Sequence, residues 1–233
     1  MTSLELKKTL FQALERNDLG EVVSLVREKK RALSHLIRFA YDKDTLVAWR
    51  AIKAIGRVSE VLVKTDEEYL RVTIRKLLWS LTDESGGIGW SAPEILGEIV
   101  CVDPEKFSDI IPLIAGVYEV EEKVFRPGVV YALARIAEIA PERVACYQKI
   151  IVMALSDPDP LVKIYALNLV EKTWHVGIDR QLWSQEYSKR VLNVIKSLIN
   201  DNGVAIIYIN NGYFDLRVGE TVKKILNNTV LEY

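Results

Sequence analysis

The chain has 233 residues, of which 49% are hydrophobic and 27% charged, and its formal net charge is -1. This composition is typical of a globular domain, and no low-complexity tract or long like-charge run indicates a disordered tail. Residues 83–160 carry 6 Lys and Arg against 14 Asp and Glu. This acidic middle disfavours the basic stripe with which proteins bind a nucleic-acid duplex.

The N-terminal segment lacks the apolar core of a signal peptide. No apolar run approaches the roughly 20 residues that are needed to cross a bilayer. Cys101 and Cys146 are far apart in sequence, and both fall in helical patterns. We therefore expect a cytoplasmic protein with reduced cysteines and no membrane association.

The first 43 residues predict two or three short helices that form an N-terminal helical cap. Leu6, Leu10 and Leu14 recur at helical spacing before Asn17 interrupts the pattern. Asp18, with Glu21 three residues later, resembles the start signal of a second helix.

A ten-residue pattern then recurs along the chain. Residues 47–56 are echoed by residues 88–97 and, more loosely, by 125–134 and 162–171. The equivalent positions 49, 90, 127 and 164 are separated by 41, 37 and 37 residues. A period near 40 residues is typical of α-solenoids, in which each repeat is a pair of helices.

This period predicts about four repeats within residues 44–175. In the first repeat, Asp44 is expected to cap one helix and a second is expected to begin near Asp66. The later helices are predicted at about 90–101, 105–118, 126–140, 142–156 and from Pro160 to about Thr173, followed by an irregular stretch over 174–183.

Residues 176–233 have a different pattern. A helix is predicted at about 184–200, and residues 204–209 are rich in β-branched and aromatic side chains. Asn210-Asn211-Gly212 is a hairpin turn signal, and residues 213–218 alternate again. A β-hairpin and a last helix at about 219–228 would cover the final apolar face of the array.

The repeats resemble the HEAT and HEAT-like families, including the short repeats of phycobilin lyases. Small residues at 51, 92 and 166, and Gly or Ala at 56, 97 and 134, carry this resemblance. The stretch from Asp83 to Glu98 also looks like a group of uncharacterised bacterial and archaeal HEAT-like proteins. The resemblance implies an all-α, HEAT-like α-α solenoid, and such proteins are usually scaffolds or binding modules.

In such an array we expect the second helix of each repeat to line a concave face, with unusual side chains gathered at its edge. Trp and Arg together are typical of binding hot spots. The candidate binding residues are Trp49, Arg50, Lys53, Trp90, Glu94, Arg126, Tyr131 and Tyr165.

Several of these residues also have a structural interpretation. Trp49 and Trp90 occupy the same repeat position and could both pack between helices. Glu94 lies three residues after Ser91, which is the spacing of a capping box. Arg126 could pair with an acidic group of the next repeat. The glycine cluster Gly86, Gly87 and Gly89 is either a tight turn or an anion nest at a helix start.

The motifs of common catalytic and metal sites are missing from the sequence. His35 and His175 have no metal-ligand spacing, and there is no Cys-x-x-Cys or nucleophile-elbow motif. We therefore expect no cofactor and no metal, and a non-catalytic module that holds a protein or peptide of basic character.

Two other functions stay open at the level of sequence. The order Trp90, Glu94, Arg126, Tyr165 is similar to the aromatic, carboxylate and arginine cleft of HEAT-like alkylpurine DNA glycosylases. This chain has Glu where that family favours Asp, and its acidic middle opposes phosphate contact. Chromophore lyase chemistry is the weaker alternative, since it depends on fold analogy alone.

Overall fold

A computed structural model describes residues 1–81, 89–120 and 123–228. Three helices precede the repeats, and helix pairs follow. The helices of the N-terminal part and the repeats are α1 (Ser3–Glu15), α2 (Leu19–Glu28), α3 (Ala32–Phe39), α4 (Leu46–Thr65), α5 (Glu67–Ser80), α6 (Ala92–Val100), α7 (Ile111–Val120), α8 (Arg126–Ala137), α9 (Gln148–Leu155) and α10 (Pro160–Asp179).

The C-terminal part contains α11 (Gln185–Ser197), the strands β1 (Val204–Ile209) and β2 (Gly212–Arg217), and α12 (Val218–Asn228). The strands pair antiparallel, with Tyr208 opposite Tyr213. Asn210 and Asn211 both adopt positive φ, as the tight hairpin turn requires. The predicted hairpin and its flanking helices are confirmed.

Local sequence signals explain where several helices begin. Asp18 accepts a hydrogen bond from the backbone N–H of Glu21 and caps α2, and Asp66 does the same for α5 through Tyr69. The prediction that Asp44 caps α4 is wrong, because Thr45 occupies the N-cap and its hydroxyl accepts from the N–H of Ala48.

Helices α4, α6, α8 and α10 stack side by side in chain order. Gly97 of α6 shows how tightly they pack, because a Cβ at this position would lie 2.6 Å from the Cα of Ala132 in α8. Each is followed along the chain by one member of the second layer, formed by α5, α7, α9 and α11. This arrangement is an all-α solenoid with helix pairs as its repeats, as the period near 40 residues predicts.

Three predicted helix boundaries are wrong. The helices expected at 105–118 and 142–156 begin later, at Ile111 and Gln148, because turns and a short 3-10 helix (Pro141–Arg143) precede them. The stretch expected to be irregular over 174–183 is helical up to Asp179.

Tertiary packing explains why α10 continues through this last stretch. Trp174 is buried, and Gly177 lies directly against the indole of Trp183, whose Nε1–H donates to the carbonyl of Ala145 at 2.7 Å. The helix therefore extends as far as it has a buried face to cover.

Candidate functional site

The inner surface of the solenoid is formed by the first helix of each repeat, α4, α6, α8 and α10, and this surface faces the C-terminal hairpin. The expectation that second helices line it is wrong. The ten-residue echo falls on the first helices, so the candidate residues approach this surface from α4, α6, α8 and α10.

The hairpin does more than cover the last repeat. Ala205 and Ile207 are buried on the side of β1 that packs on α10. Tyr208 instead stacks on Trp49 of the first repeat, with ring centroids 5.7 Å apart and planes 7° from parallel. The hydroxyl of Tyr213 donates to the carbonyl of Lys43 at 2.9 Å. The hairpin thus reaches across the inner surface, and a cavity lies on each side of it.

The larger cavity, which we call the polar chamber, has a volume of about 790 Å³. Its organising group is Glu98 of α6, which is only 5% exposed. One carboxylate oxygen of Glu98 accepts from Lys53 Nζ at 2.7 Å, from Tyr131 Oη at 2.6 Å and from Arg135 Nε at 2.8 Å. This buried carboxylate therefore has charged and neutral donors around it, as a buried charge requires.

The charges of this network set the protonation states in the polar chamber. Burial acts to raise the pKa of Glu98, but Lys53 and Arg135 together outweigh it, so the pKa is lowered. Burial, with Glu98 nearby, raises the pKa of Tyr131 well above its usual value. Burial likewise raises the pKa of the Cys101 thiol to about 12, so this cysteine is no thiolate nucleophile at neutral pH.

The second cavity, which we call the aromatic chamber, has a volume of about 500 Å³. Aromatic and aliphatic side chains form most of its wall, with a few charged groups among them. The apolar and aromatic lining residues are Trp49, Pro127, Leu161, Tyr165, Ile206 and Tyr213, and the charged ones are Lys43, Asp44, Glu94 and Asp215.

Glu94 of α6 is the buried charge of the aromatic chamber, with 2% of its surface exposed. Its Oε1 accepts from Lys43 Nζ at 2.7 Å, and the same ammonium donates to the carbonyl of Trp90 at 2.9 Å. Its Oε2 is buried and has no hydrogen-bond partner among the described residues. Gly128 leaves the space for this carboxylate, since a Cβ there would lie 2.5 Å from Oε2.

The structure separates the predicted site residues into groups. Trp49 and Glu94 line the aromatic chamber, Lys53 and Tyr131 line the polar chamber, and Tyr165 borders both. The edge-on contacts of Tyr131 with Trp49 and with Tyr165, at 5.3 and 5.4 Å between centroids, connect the groups.

The other predicted residues make contacts of a structural kind. Arg50 donates to the carbonyls of Leu14 and Glu15 at the end of α1. Arg126 pairs with Asp157 at 3.0 Å and lies over the ring of Tyr118.

Two expectations that concern Trp90 and Ser91 do not hold. Trp49 is buried whereas Trp90 is 53% exposed, so the two do not occupy equivalent environments. Trp90 lies in a short 3-10 helix (Gly89–Ser91) just before α6. The predicted capping box is wrong, because the hydroxyl of Ser91 donates to the carbonyl of Ala40 and does not cap α6.

The predicted anion nest cannot be placed on the inner surface. Gly86 and Gly87 lie outside the described residues, and Gly89 is described only as the first residue of the short 3-10 helix before α6.

Sequence reasoning missed the groups that complete the site. Lys43, Tyr208 and Tyr213 come from outside the repeat echo, so the pattern gave no reason to single them out. Glu98 and Glu94 carried a usable signal, since two acidic residues one turn apart in the otherwise apolar α6 predict buried, partnered carboxylates.

Two further features of the described part of the chain bear on function. It contains no cluster of three or more His, Cys, Asp or Glu side chains arranged to hold a metal ion. Among its helices, none combines the length and the apolar character that crossing a bilayer requires.

Comparison with known proteins supports a fold for this chain but does not assign it a function. No protein-family model matches the chain. An uncharacterized protein of Archaeoglobus fulgidus (strain DSM 4304) is 35% identical over 106 residues, which are 46% of this chain. The match spans about half of that relative, 54% of its length.

Two solved structures are similar over nearly the whole chain. An engineered protein, structural genomics target OR329, aligns with a TM-score of 0.54 and 16% identity, covering 98% of this chain and 96% of that one. The archaeal HEAT-like repeats protein from Thermococcus onnurineus NA1 aligns with a TM-score of 0.45 and 15% identity, covering 100% and 99%. At such identities the likeness concerns the fold alone, and the similarity to the engineered protein agrees with the all-α solenoid that the stacked helix pairs form.

Proposed function

We propose that this protein is a non-catalytic binding module that holds a protein or peptide segment along its inner surface. The observation that carries the proposal is the pair of chambers on either side of the hairpin, which together offer an extended recessed surface with both aromatic and charged side chains. Solenoids commonly bind extended partners on such a surface.

The chemistry of the chambers favours binding over catalysis. Burial raises the pKa values of Cys101, Tyr131 and Tyr165, so these groups stay protonated at neutral pH. Glu98 is held by three donors and serves as an anchor of the network. The ordered aromatic, carboxylate and arginine set of the glycosylase alternative gains no support, since Arg126 pairs with Asp157 and Trp90 does not line the chamber of Glu94.

Photocrosslinking in the source cell tests this proposal. A benzophenone amino acid would replace Ile206, which lines the aromatic chamber, or Asn211, which lines the polar chamber. The matched control carries it in place of Lys196, an exposed residue of the second layer on α11. We expect Ile206 and Asn211 to crosslink the same protein and Lys196 not to do so.

Two results would overturn the proposal. Equal crosslinking from all three positions would mean that the inner surface is no binding surface. Recovery of nucleic acid from the Ile206 and Asn211 positions would favour the nucleic-acid alternative.

A further inference from the structure

The aromatic chamber contains a buried charge that the protein itself satisfies only in part. Glu94 is 2% exposed, and Lys43 Nζ is the one donor among the described residues that contacts its carboxylate. The second oxygen has no hydrogen-bond partner in the described part of the chain. A buried carboxylate is expensive unless it is fully paired, and such exceptions in native proteins call for an explanation.

The walls around Glu94 suit an organic cation. Trp49, Tyr165 and Tyr213 all line the chamber, and aromatic faces attract an ammonium group when it is withdrawn from water. Pro127, Leu161 and Ile206 supply apolar surface beside them, against which a methylene chain can pack.

The charges at the mouth of the chamber also favour a cationic ligand. Asp44 and Asp215 are exposed lining residues, and neither forms an ion pair with any residue that the structure describes. Among the described lining residues, Lys43 is the cation, and the three acidic side chains are those of Asp44, Glu94 and Asp215. The described residues of the lining therefore have a net negative charge even after Lys43 is paired with Glu94.

The hydroxyl of Tyr213 lies near some of the same carboxylates. Burial is the main cause that raises the pKa of its hydroxyl to about 12, and the carboxylates of Asp44 and Asp42 add to the shift. The hydroxyl therefore stays neutral at physiological pH, and Tyr213 contributes no charge of its own to the chamber.

We propose that the aromatic chamber binds an alkylammonium group, and that a lysine side chain of the bound protein segment supplies it. This inference depends on the proposed binding function and gives it a chemical class of ligand. A lysine combines a compact charge for the carboxylates with a four-carbon stem for the apolar wall. Lys43 shows that the site already accommodates one ammonium between Glu94 and the carbonyl of Trp90.

NMR titration with small capped amino acids tests the proposal. The probe is Nα-acetyl-lysine methylamide, and its neutral counterpart is Nα-acetyl-norleucine methylamide, which keeps the stem and lacks the ammonium. We expect the lysine probe to bind and to shift resonances of Trp49, Tyr165 and Tyr213. We expect the norleucine probe not to bind at the concentrations at which the lysine probe binds.

Paired variants assign the binding to the chamber. Asp44→Asn with Asp215→Asn removes both charges at the mouth and is expected to weaken lysine binding about tenfold. Asp179→Asn is the matched control, because Asp179 is exposed at the far end of α10 from Leu161, and it should leave binding unchanged. Circular dichroism of all variants checks that they are folded.

Several outcomes would overturn the proposal. Norleucine binding as tightly as lysine, or unchanged lysine binding by the double variant, would mean that the charge is not recognised. Methylammonium binding as tightly as the capped lysine would mean that the ligand is a free small cation. In any of these cases, crosslinks from Ile206 and Asn211 would still support the proposed binding function.

Discussion

Glu94 and Glu98 lie one turn apart on α6, and both are almost fully buried, with 2% and 5% of their surfaces exposed. Glu98 accepts hydrogen bonds from Lys53, Tyr131 and Arg135, whereas Glu94 has Lys43 alone and one oxygen without a described partner. The hairpin separates their two chambers. Equal burial therefore does not mean equal partnering, because the protein's own donors surround Glu98, whereas Glu94 is the carboxylate that we propose takes part in ligand binding.

The largest expected effect distinguishes the two glutamates directly. Glu98→Gln should lower the free energy of unfolding by about 3 kcal/mol, because it removes the counter-charge of Lys53 and leaves Arg135 paired only with the more exposed Glu138 among the described residues. Glu94→Gln should change it by less than about 1 kcal/mol, since it removes one ion pair but also relieves an unsatisfied buried charge. Urea denaturation measures both, and equal losses in the two variants would contradict the comparison.

A second prediction follows from the close approach of the Glu94 carboxylate to the backbone of Gly128. Gly128→Ala should destabilise the protein by about 2 kcal/mol, because its Cβ would lie 2.5 Å from Oε2 and the carboxylate must move. Gly116→Ala in α7 is the control, since a Cβ there meets nothing within 4 Å. It should stabilise the protein by about 0.5–1 kcal/mol through helix propensity. Thermal unfolding compares them, and stabilisation by both would show that Glu94 is not confined.

The hairpin that divides the chambers is the subject of a third prediction. Tyr208→Leu should cost about 1 kcal/mol through loss of the stack on Trp49, and should speed hydrogen exchange across residues 204–217. Phe214→Leu, on the other strand and 49% exposed, should leave both quantities nearly unchanged. Unaltered exchange in the Tyr208 variant would mean that the contact with the first repeat does not hold the hairpin in place.

The smallest effect is a dependence of stability on pH that belongs to Glu98. Its pKa in the folded protein is lowered from 4.5, chiefly by Lys53 and Arg135 acting against burial, so its contribution is fully present above the unfolded pKa. That contribution is lost as the pH falls below about 4.5 through the folded pKa. Glu98→Gln should show a shallower loss of stability in acid than the wild type, and parallel curves would contradict this assignment.

The local sequence was sufficient for most of the architecture. The recurrence at positions 49, 90, 127 and 164 predicted the helix pairs, and Asn210-Asn211-Gly212 predicted the hairpin, because periodicity and turn chemistry act over a few residues. The placement of the candidate site residues was predicted in part, and their role stays a prediction. Trp49, Glu94 and Tyr165 do line one chamber, since equivalent positions of stacked repeats approach the same surface.

What the sequence alone determined is therefore the set of repeats and the equivalent positions within them that carry unusual side chains. Only the tertiary structure decided that α10 continues past Trp174, and that Tyr213 meets the carbonyl of Lys43 across 170 residues. It also decided which glutamate of α6 would be fully paired. These outcomes depend on burial and on contacts between distant segments, and no local pattern in the chain encodes the distance between two such segments after folding.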